Sequence, residues 1–328
     1  MINDPQPSES AAPGDTGAER LQPDSGKRSA DRIVVGIGDS GADHYRTALG
    51  LAARMSRQRA ATITLIHGSL PRLAVAASRT EALQRHLARG REVVEEARLT
   101  ISRMVDPNIG VHAEAVAKTG VDALLQQSGT AAALILQRRN LSTLSRAFNS
   151  ATSQIVAAQA GCPVIVVRHD QLDRDSSRGI VVGIGPHSGG RALQVGVLEA
   201  AVRKCPLTAV YVWDLPFSPT YGGRVDPDEE ELADATRWAD SFLASAVADV
   251  AKLHPELELH ARTVRGVTEE GLLQECEHAE LLIVERHRDA HLASIGLGAL
   301  TRHLLDHAPC PVMITPLAAQ RDGMPLGI

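Results

Sequence analysis

The sequence contains itself twice. The run IVVGIGDSG at 33–41 returns as IVVGIGPHSG at 180–189, and CPVIVV at 162–167 returns as CPVMIT at 310–315. Gly36 and Gly183 lie 147 positions apart, Cys162 and Cys310 lie 148 apart. Two markers near opposite ends of a unit keep almost one spacing, which a duplicated domain explains. A solenoid does not, because its repeats run only about 20–50 residues. The 328 residues then divide into domains at 31–169 and 179–317, each long enough to bury a core. Residues 1–30 carry Pro5, Pro7, Pro13 and Pro23 among Ser, Gly and acids, and are expected to be disordered for want of apolar surface to bury. The polar stretch 170–178 reads as a linker and 318–328 as a tail.

Within each unit, strand and helix signals alternate. In the first, strands are expected near 33–35, 62–67, 111–117, 134–136 and 164–167. The helices between them include one carrying Tyr45, Leu49 and Ala52 at helical spacing. The second unit repeats the order, with strands near 180–183, 207–213, 257–264, 281–284 and 312–315. Alternation of this kind implies an α/β fold, a doubly wound parallel sheet with helices on both faces. Ligands of such sheets bind beyond the carboxyl ends of the strands, which puts the loops after strands one and four at the centre of any function.

Composition removes several classes. Net charge is −5 and aromatics are 2%, so nucleic acid is not an expected partner: there is neither a basic surface for phosphates nor a stacking platform. No run approaches the ~18 apolar residues of a membrane span, and the first residues have neither the basic start nor the apolar core of a secretory signal. The cysteines, at 162, 205, 276 and 310, form no disulfide framework and no CxxC pair. A reduced, cytoplasmic protein is expected. No P-loop and no G-x-S-x-G occurs, and no catalytic set emerges.

The loop after the first strand, Gly36, Gly38 and Gly41, matches GxGxxG in a strand-to-helix setting; its copy, Gly183, Gly185 and Gly189, has one extra residue. A dinucleotide would use these glycines to bring backbone N–H groups to a pyrophosphate. The acid that should then follow strand two is missing from Ile66-His67-Gly68, while Asp214 stands there in the second unit. A tight turn needing glycine is the competing reading.

The whole pattern resembles tandem universal stress proteins over 31–169 and 179–317. The opening strands carry the resemblance, together with AGCPVIVV at 160–167 and HAPCPVMIT at 307–315. It implies a five-stranded parallel sheet per domain, order 3-2-1-4-5, and, in many members, ATP. The nucleotide signature that it implies is glycine after strand four, glycine three on, then nine residues and Gly-Ser or Gly-Thr. Counted from the Cys-Pro anchors, these places hold Gln137, Asn140, Ser150 and Ala151 in the first unit, and Glu285, Arg288, Gly298 and Ala299 in the second. The family's aspartate after strand one falls on Gly38 and Gly185, with Asp39 one place later and Pro186 in the copy. The candidate nucleotide positions are therefore Gly36, Gly38, Asp39, Ser40, Gly183, Gly185, Gly298 and Ala299, in degenerate sites. A side chain in such a loop fills the space a phosphate needs. Glu285 at ~5 Å from a phosphate charge, at an effective dielectric of about 20, repels it by about 3 kcal/mol, about a hundredfold in affinity.

The expected role is a non-enzymatic stress-response or adaptation protein acting by protein or ligand binding, with no cofactor, ATP being the one the resemblance leaves open. The alternatives are an adenine-nucleotide sensor with at most slow ATP hydrolysis, and a dinucleotide-binding protein using Gly36, Gly38 and Gly41. His303 and His307, four apart on a helix, and His287 and His291 read as solvated rather than metal-binding, and Cys162 and Cys310 as packed thiols. The long 214–231 segment, with Phe217, Tyr221 and an acidic run, is either a helix start or a partner-docking loop. The strands at 164–167 and 312–315 are expected to pair within the chain as a pseudo-dimer, leaving any homodimer to another face.

Overall fold

A computed structural model of the chain describes residues 32–70, 80–138, 146–171, 179–186, 190–215, 228–286 and 297–316. The segments 1–30, 172–178, 216–227 and 318–328, with Asn140, Gly189, His287, Arg288 and His291, lie outside the described residues.

Each unit opens on a strand of consecutive buried residues, β1 (Arg32–Gly36) and β6 (Ile180–Gly183), as a sheet covered on both faces requires. The first continues through α1 (Arg46–Arg59), β2 (Thr62–Leu70), α2 (Thr80–Ser102), β3 (Val111–Thr119), α3 (Gly120–Ser128), β4 (Ala133–Arg138), α4 (Arg146–Gln159) and β5 (Val164–Arg168). The second continues through α5 (Arg191–Arg203), β7 (Leu207–Trp213), α6 (Glu229–Leu253), β8 (Leu259–Arg265), α7 (Thr268–Glu275), β9 (Leu281–Glu285), α8 (Ala299–His307) and β10 (Val312–Thr315). In each unit the parallel order is 3-2-1-4-5. The strands of the first unit outrun their expected bounds, β2 running to Leu70, whereas β6, β7 and β10 match theirs. Tyr45 sits in a 3-10 turn (Ala42–Tyr45) just before α1 rather than within the helix.

The two sheets join into one of ten strands, because β5 pairs antiparallel with β10, Ile165 opposite Met313. Side-chain alternation sorts the core accordingly. Ile33, Val35, Ile165, Met313 and Ile283 face α1, α2, α5 and α6, while Val34, Val166, Val312 and Leu282 face α3, α4, α7 and α8. Both apolar layers run through the seam.

Charged side chains hold the seam on either face. On the α1–α5 face, Arg59 Nη2 lies 2.5 Å from Glu199 Oε1, and Arg203 donates to Glu199 Oε2 (3.0 Å) and to Glu280 Oε1 (3.1 Å). The Arg203 side chain is 1% exposed and that of Glu199 9%. Counted from the left-handed residues that end α1 and α5, Ala60 and Lys204, Arg59 and Arg203 are equivalent positions, yet both converge on one glutamate. On the α4–α8 face, Arg138 pairs with Asp306, and its counterpart Arg286 donates from Nη1 to the carbonyls of Ala158 (2.8 Å) and Ala160 (3.2 Å), at the C-terminal end of α4. Cations at a helix C-terminus are favourable both as donors and against the dipole.

All four thiols are free, and three are buried. Burial pushes the Cys162 thiol up to about 11. A hydrogen bond with Cys276, then burial, raises Cys310 well above the ordinary thiol range. These cysteines therefore stay protonated in the folded chain while an unfolded chain ionises them from about pH 8.5. The unfolded state then binds fewer protons, so stability falls as pH rises from about 8.5 to 11, by roughly 3 kcal/mol for Cys162 alone. Urea midpoints measured across that range should drop less steeply for Cys162→Ala than for the wild type; equal slopes would count against it.

Candidate functional site

The carboxyl ends of β1 and β4 in the first unit, and of β6 and β9 in the second, are the switch points where a doubly wound sheet binds its ligands. The two copies differ there.

In the first copy, side chains of the described residues bond across this space. The N–H of Gly38 donates to the Tyr45 hydroxyl at 2.8 Å, and a Cβ on Gly38 would lie 2.5 Å from that oxygen. A Cβ on Gly36 would lie 2.7 Å from Leu136 Cδ2 and 3.2 Å from Leu124 Cδ2. Gln137 bridges to the start of α1: its Oε1 accepts from the N–H of Ala48 (2.9 Å) and its Nε2 donates to the His44 carbonyl. His67 Nδ1 donates to the Ile37 carbonyl at 3.0 Å, and its Nε2 lies 3.6 Å from Asp39 Oδ1. The Asp39 side chain is itself 88% exposed, and Ser40 beside it is half-buried. Glu96 reaches the turn before α1 from α2, accepting from the N–H of Ala42 at 3.3 Å. A pyrophosphate at Gly36, Gly38 and Gly41 would have to displace Tyr45 and approach Glu96.

In the second copy the same ends enclose a cleft of about 270 Å³, at the small end of ligand pockets. Gly183, Gly185, Val212, Leu272, Glu285 and Leu300 are among its walls. One substitution contributes to the difference. Leu136 becomes Val284, one carbon shorter, so a Cβ on Gly183 would stand 3.3 Å from Leu272 and 3.4 Å from Val284.

Glu285 is on the wall, as the count from Cys310 placed it, and its buried Oε2 has no hydrogen-bond partner among the described residues. Gly298 is buried at the N-cap of α8, and Ala299, exposed, is that helix's first residue. The structure thus gathers Gly183, Gly185 and Glu285 around the cleft, with Gly298 and Ala299 beside its wall residue Leu300. Gly36, Gly38, Asp39 and Ser40 surround the filled copy.

Other candidates are engaged elsewhere. Asp214 accepts from the N–H of Leu215 (2.9 Å) and lies 3.7 Å from Arg265 Nε. Asp228 caps α6, accepting from the N–H of Glu231 at 2.8 Å, with Glu229, Glu230 and Glu231 in the first turn; these acids begin a helix. His303 and His307 stack at 4.2 Å, and His307 Nδ1 donates to the His303 carbonyl. Among the described residues no three potential ligands cluster for a metal, and no helix is long and apolar enough to cross a membrane.

Fold and site together define a tandem pair of doubly wound domains, one whose switch point is crossed by Tyr45 and Gln137 and one with a cleft there. A profile of the Universal stress protein family matches residues 29–168 and again 177–316, so the chain belongs to that family. It is 28% identical over 294 residues to a universal stress protein of Mycolicibacterium smegmatis, covering 86% of this chain and 96% of the other. A universal stress protein of Mycobacterium tuberculosis is 23% identical over 292 residues, covering 86% and 95%. The fold is similar to the crystal structure of a universal stress protein from Archaeoglobus fulgidus, with TM-score 0.65 and 14% identity over 89% of this chain and 98% of that one.

Proposed function

We propose that the protein is a non-enzymatic, cytoplasmic stress-response protein that acts by binding, and that neither unit holds ATP in the family's usual geometry. The observation that carries this is the filling of the first copy by Tyr45 and Gln137, with a glutamate, Glu285, standing where the second copy would meet phosphate. The adenine-nucleotide sensor is the second reading, favoured by Gly183 and Gly185 on the cleft wall and Gly298 at the start of α8. A thermal-shift screen of ATP, ADP, AMP, cyclic nucleotides and NAD separates them. A ligand at 100 times its Kd stabilises by about 2.7 kcal/mol and moves the midpoint by a few degrees. No shift is expected with any of them; a shift of several degrees with ATP would give the sensor reading precedence.

The seam between β5 and β10 supports a chain that acts alone. Native mass spectrometry should then find 34.9 kDa without a carried nucleotide; a doubled mass would point to a homodimer through another face. A protein partner at 214–231 is proposed as well. Its support is Trp238, on the helix that follows this segment: it stacks on Phe242 at 5.5 Å and is 56% exposed, in a chain with few aromatics.

A further inference from the structure

Ser128, at the end of α3, and Cys276, at the C-cap of α7, occupy the same place in the two units, 148 positions apart like Cys162 and Cys310. Each bonds back into its own helix: Ser128 Oγ donates to the Leu125 carbonyl at 2.7 Å, and Cys276 Sγ to the Leu273 carbonyl at 3.4 Å. In the first unit the serine also ties its helix to the approach of β5, accepting from the N–H of Gly161 at 3.1 Å, one residue before Cys162. The second unit cannot repeat that bond, because Pro309 stands at the place of Gly161 and has no N–H to donate. It has two sulfurs there instead. Cys276 and Cys310 share a hydrogen bond within one buried cluster. Their backbones are held to the start of β9 from either side: the Cys276 carbonyl accepts from the N–H of Ala279 (3.1 Å) and the Pro311 carbonyl from that of Leu282 (3.0 Å). Thiols that share a hydrogen bond already point at each other, as S–S bond formation requires. The other cysteines are placed differently: Cys162 has a serine at the partner position, and Cys205 packs against the opposite apolar layer of the sheet.

We propose that Cys276 and Cys310 are a dithiol pair that hydrogen peroxide converts reversibly to a disulfide, clipping α7 to the start of β10. A sulfur of the pair, as thiolate, attacks one peroxide oxygen; the O–O bond breaks, giving a sulfenic acid and a hydroxide that takes up the thiol proton as water. The second sulfur then attacks the sulfenic sulfur; the S–S bond forms, the S–O bond breaks, and the departing hydroxide leaves with the second thiol's proton as another water. Two thiols are oxidised and one peroxide is reduced to two waters, and an external dithiol restores the pair by exchange. Both sulfurs are buried, so the first step waits on local opening, and the pair answers sustained rather than brief exposure. The closed loop would contain β9 and α8, which carry Val284, Glu285 and Leu300 of the cleft, and would join them to α7, which carries Leu272. Oxidation would then brace the walls of the cleft, whatever ligand it takes.

Peptide mapping of the full chain tests it. The reduced protein is held in hydrogen peroxide for hours, the peroxide is removed with catalase, and the chain is unfolded in iodoacetamide and digested. The main disulfide is expected to join the peptides carrying Cys276 and Cys310, two hydrogens lighter than their reduced sum, and dithiothreitol should separate them. Cys276→Ser, which installs the residue that the first unit carries, should abolish the cross-link, and Cys162→Ser should leave it in place. Wild-type protein whose Cys276 and Cys310 are recovered alkylated, or overoxidised without the cross-link, or joined mainly to other cysteines, overturns the proposal. So does a pairing no more selective than that of the same chain oxidised in urea, since the native fold is what brings these two sulfurs together. The wild-type map decides the matter even if a variant fails to fold.

Discussion

Replacing Glu199 by alanine is expected to cost the folded protein about 3–5 kcal/mol, because it leaves buried arginine charge without its partner. Arg59 and Arg203 reach this one carboxylate from opposite units, through a 2.5 Å contact and a 3.0 Å hydrogen bond. Arg203 would keep Glu280, at 3.1 Å, whereas Arg59 has no second ion pair among the described residues. The loss should therefore fall mainly on Arg59, and the double variant Glu199→Ala/Arg59→Met should recover more than half of it. Urea unfolding gives both numbers. Glu95→Ala supplies the comparison, since it removes an exposed pair with Arg98 within α2 and should leave the midpoint in place. A Glu199→Ala midpoint as little moved as that of Glu95→Ala would mean that the seam does not depend on this cluster.

The second large effect lies in the sheet itself. Ile165 and Met313 face each other where β5 meets β10, and neither is exposed. Ile165→Asp places a charge in an apolar layer shared by both units. A loss of more than about 4 kcal/mol is expected, enough to unfold a chain of ordinary stability. Ile165→Val keeps the layer apolar and should cost about 0.5–1.5 kcal/mol. Circular dichroism and urea midpoints check the pair; an aspartate variant that melts near the wild type would show that the seam opens to water at this point.

Much of the fold could be read from the repeat. Apolar runs between glycines and the two Cys-Pro anchors marked the opening and closing strands, and the family resemblance supplied their order. Counting back from those anchors also put Gln137 and Glu285 at the strand ends where the structure has them. What the sequence hid is contact between distant elements. Tyr45 shares helical spacing with Leu49 and Ala52, which says nothing of where its hydroxyl goes. Only its hydroxyl, folded back seven residues to the N–H of Gly38, makes it a plug. Glu199 was hidden for a related reason. An acid four residues before Arg203 on a helix is an ordinary surface pair, and nothing local says that Arg59 arrives from the other unit. Arg138 and Arg286 reach across the seam in the same way, and their roles depend on helices more than a hundred residues away.

The convergence of two arginines on Glu199 under the seam has a consequence for stoichiometry. In an assembly of two identical chains, every residue near the twofold axis appears twice, and so does every binding site. Covalent linkage lifts that requirement: Glu199 faces two equivalent arginines while the position equivalent to it in the first unit is Met55. The same freedom lets one switch point be plugged while its twin keeps a cleft. A ligand of that cleft would saturate at one per chain along a simple hyperbola, without homotropic cooperativity between the two folds.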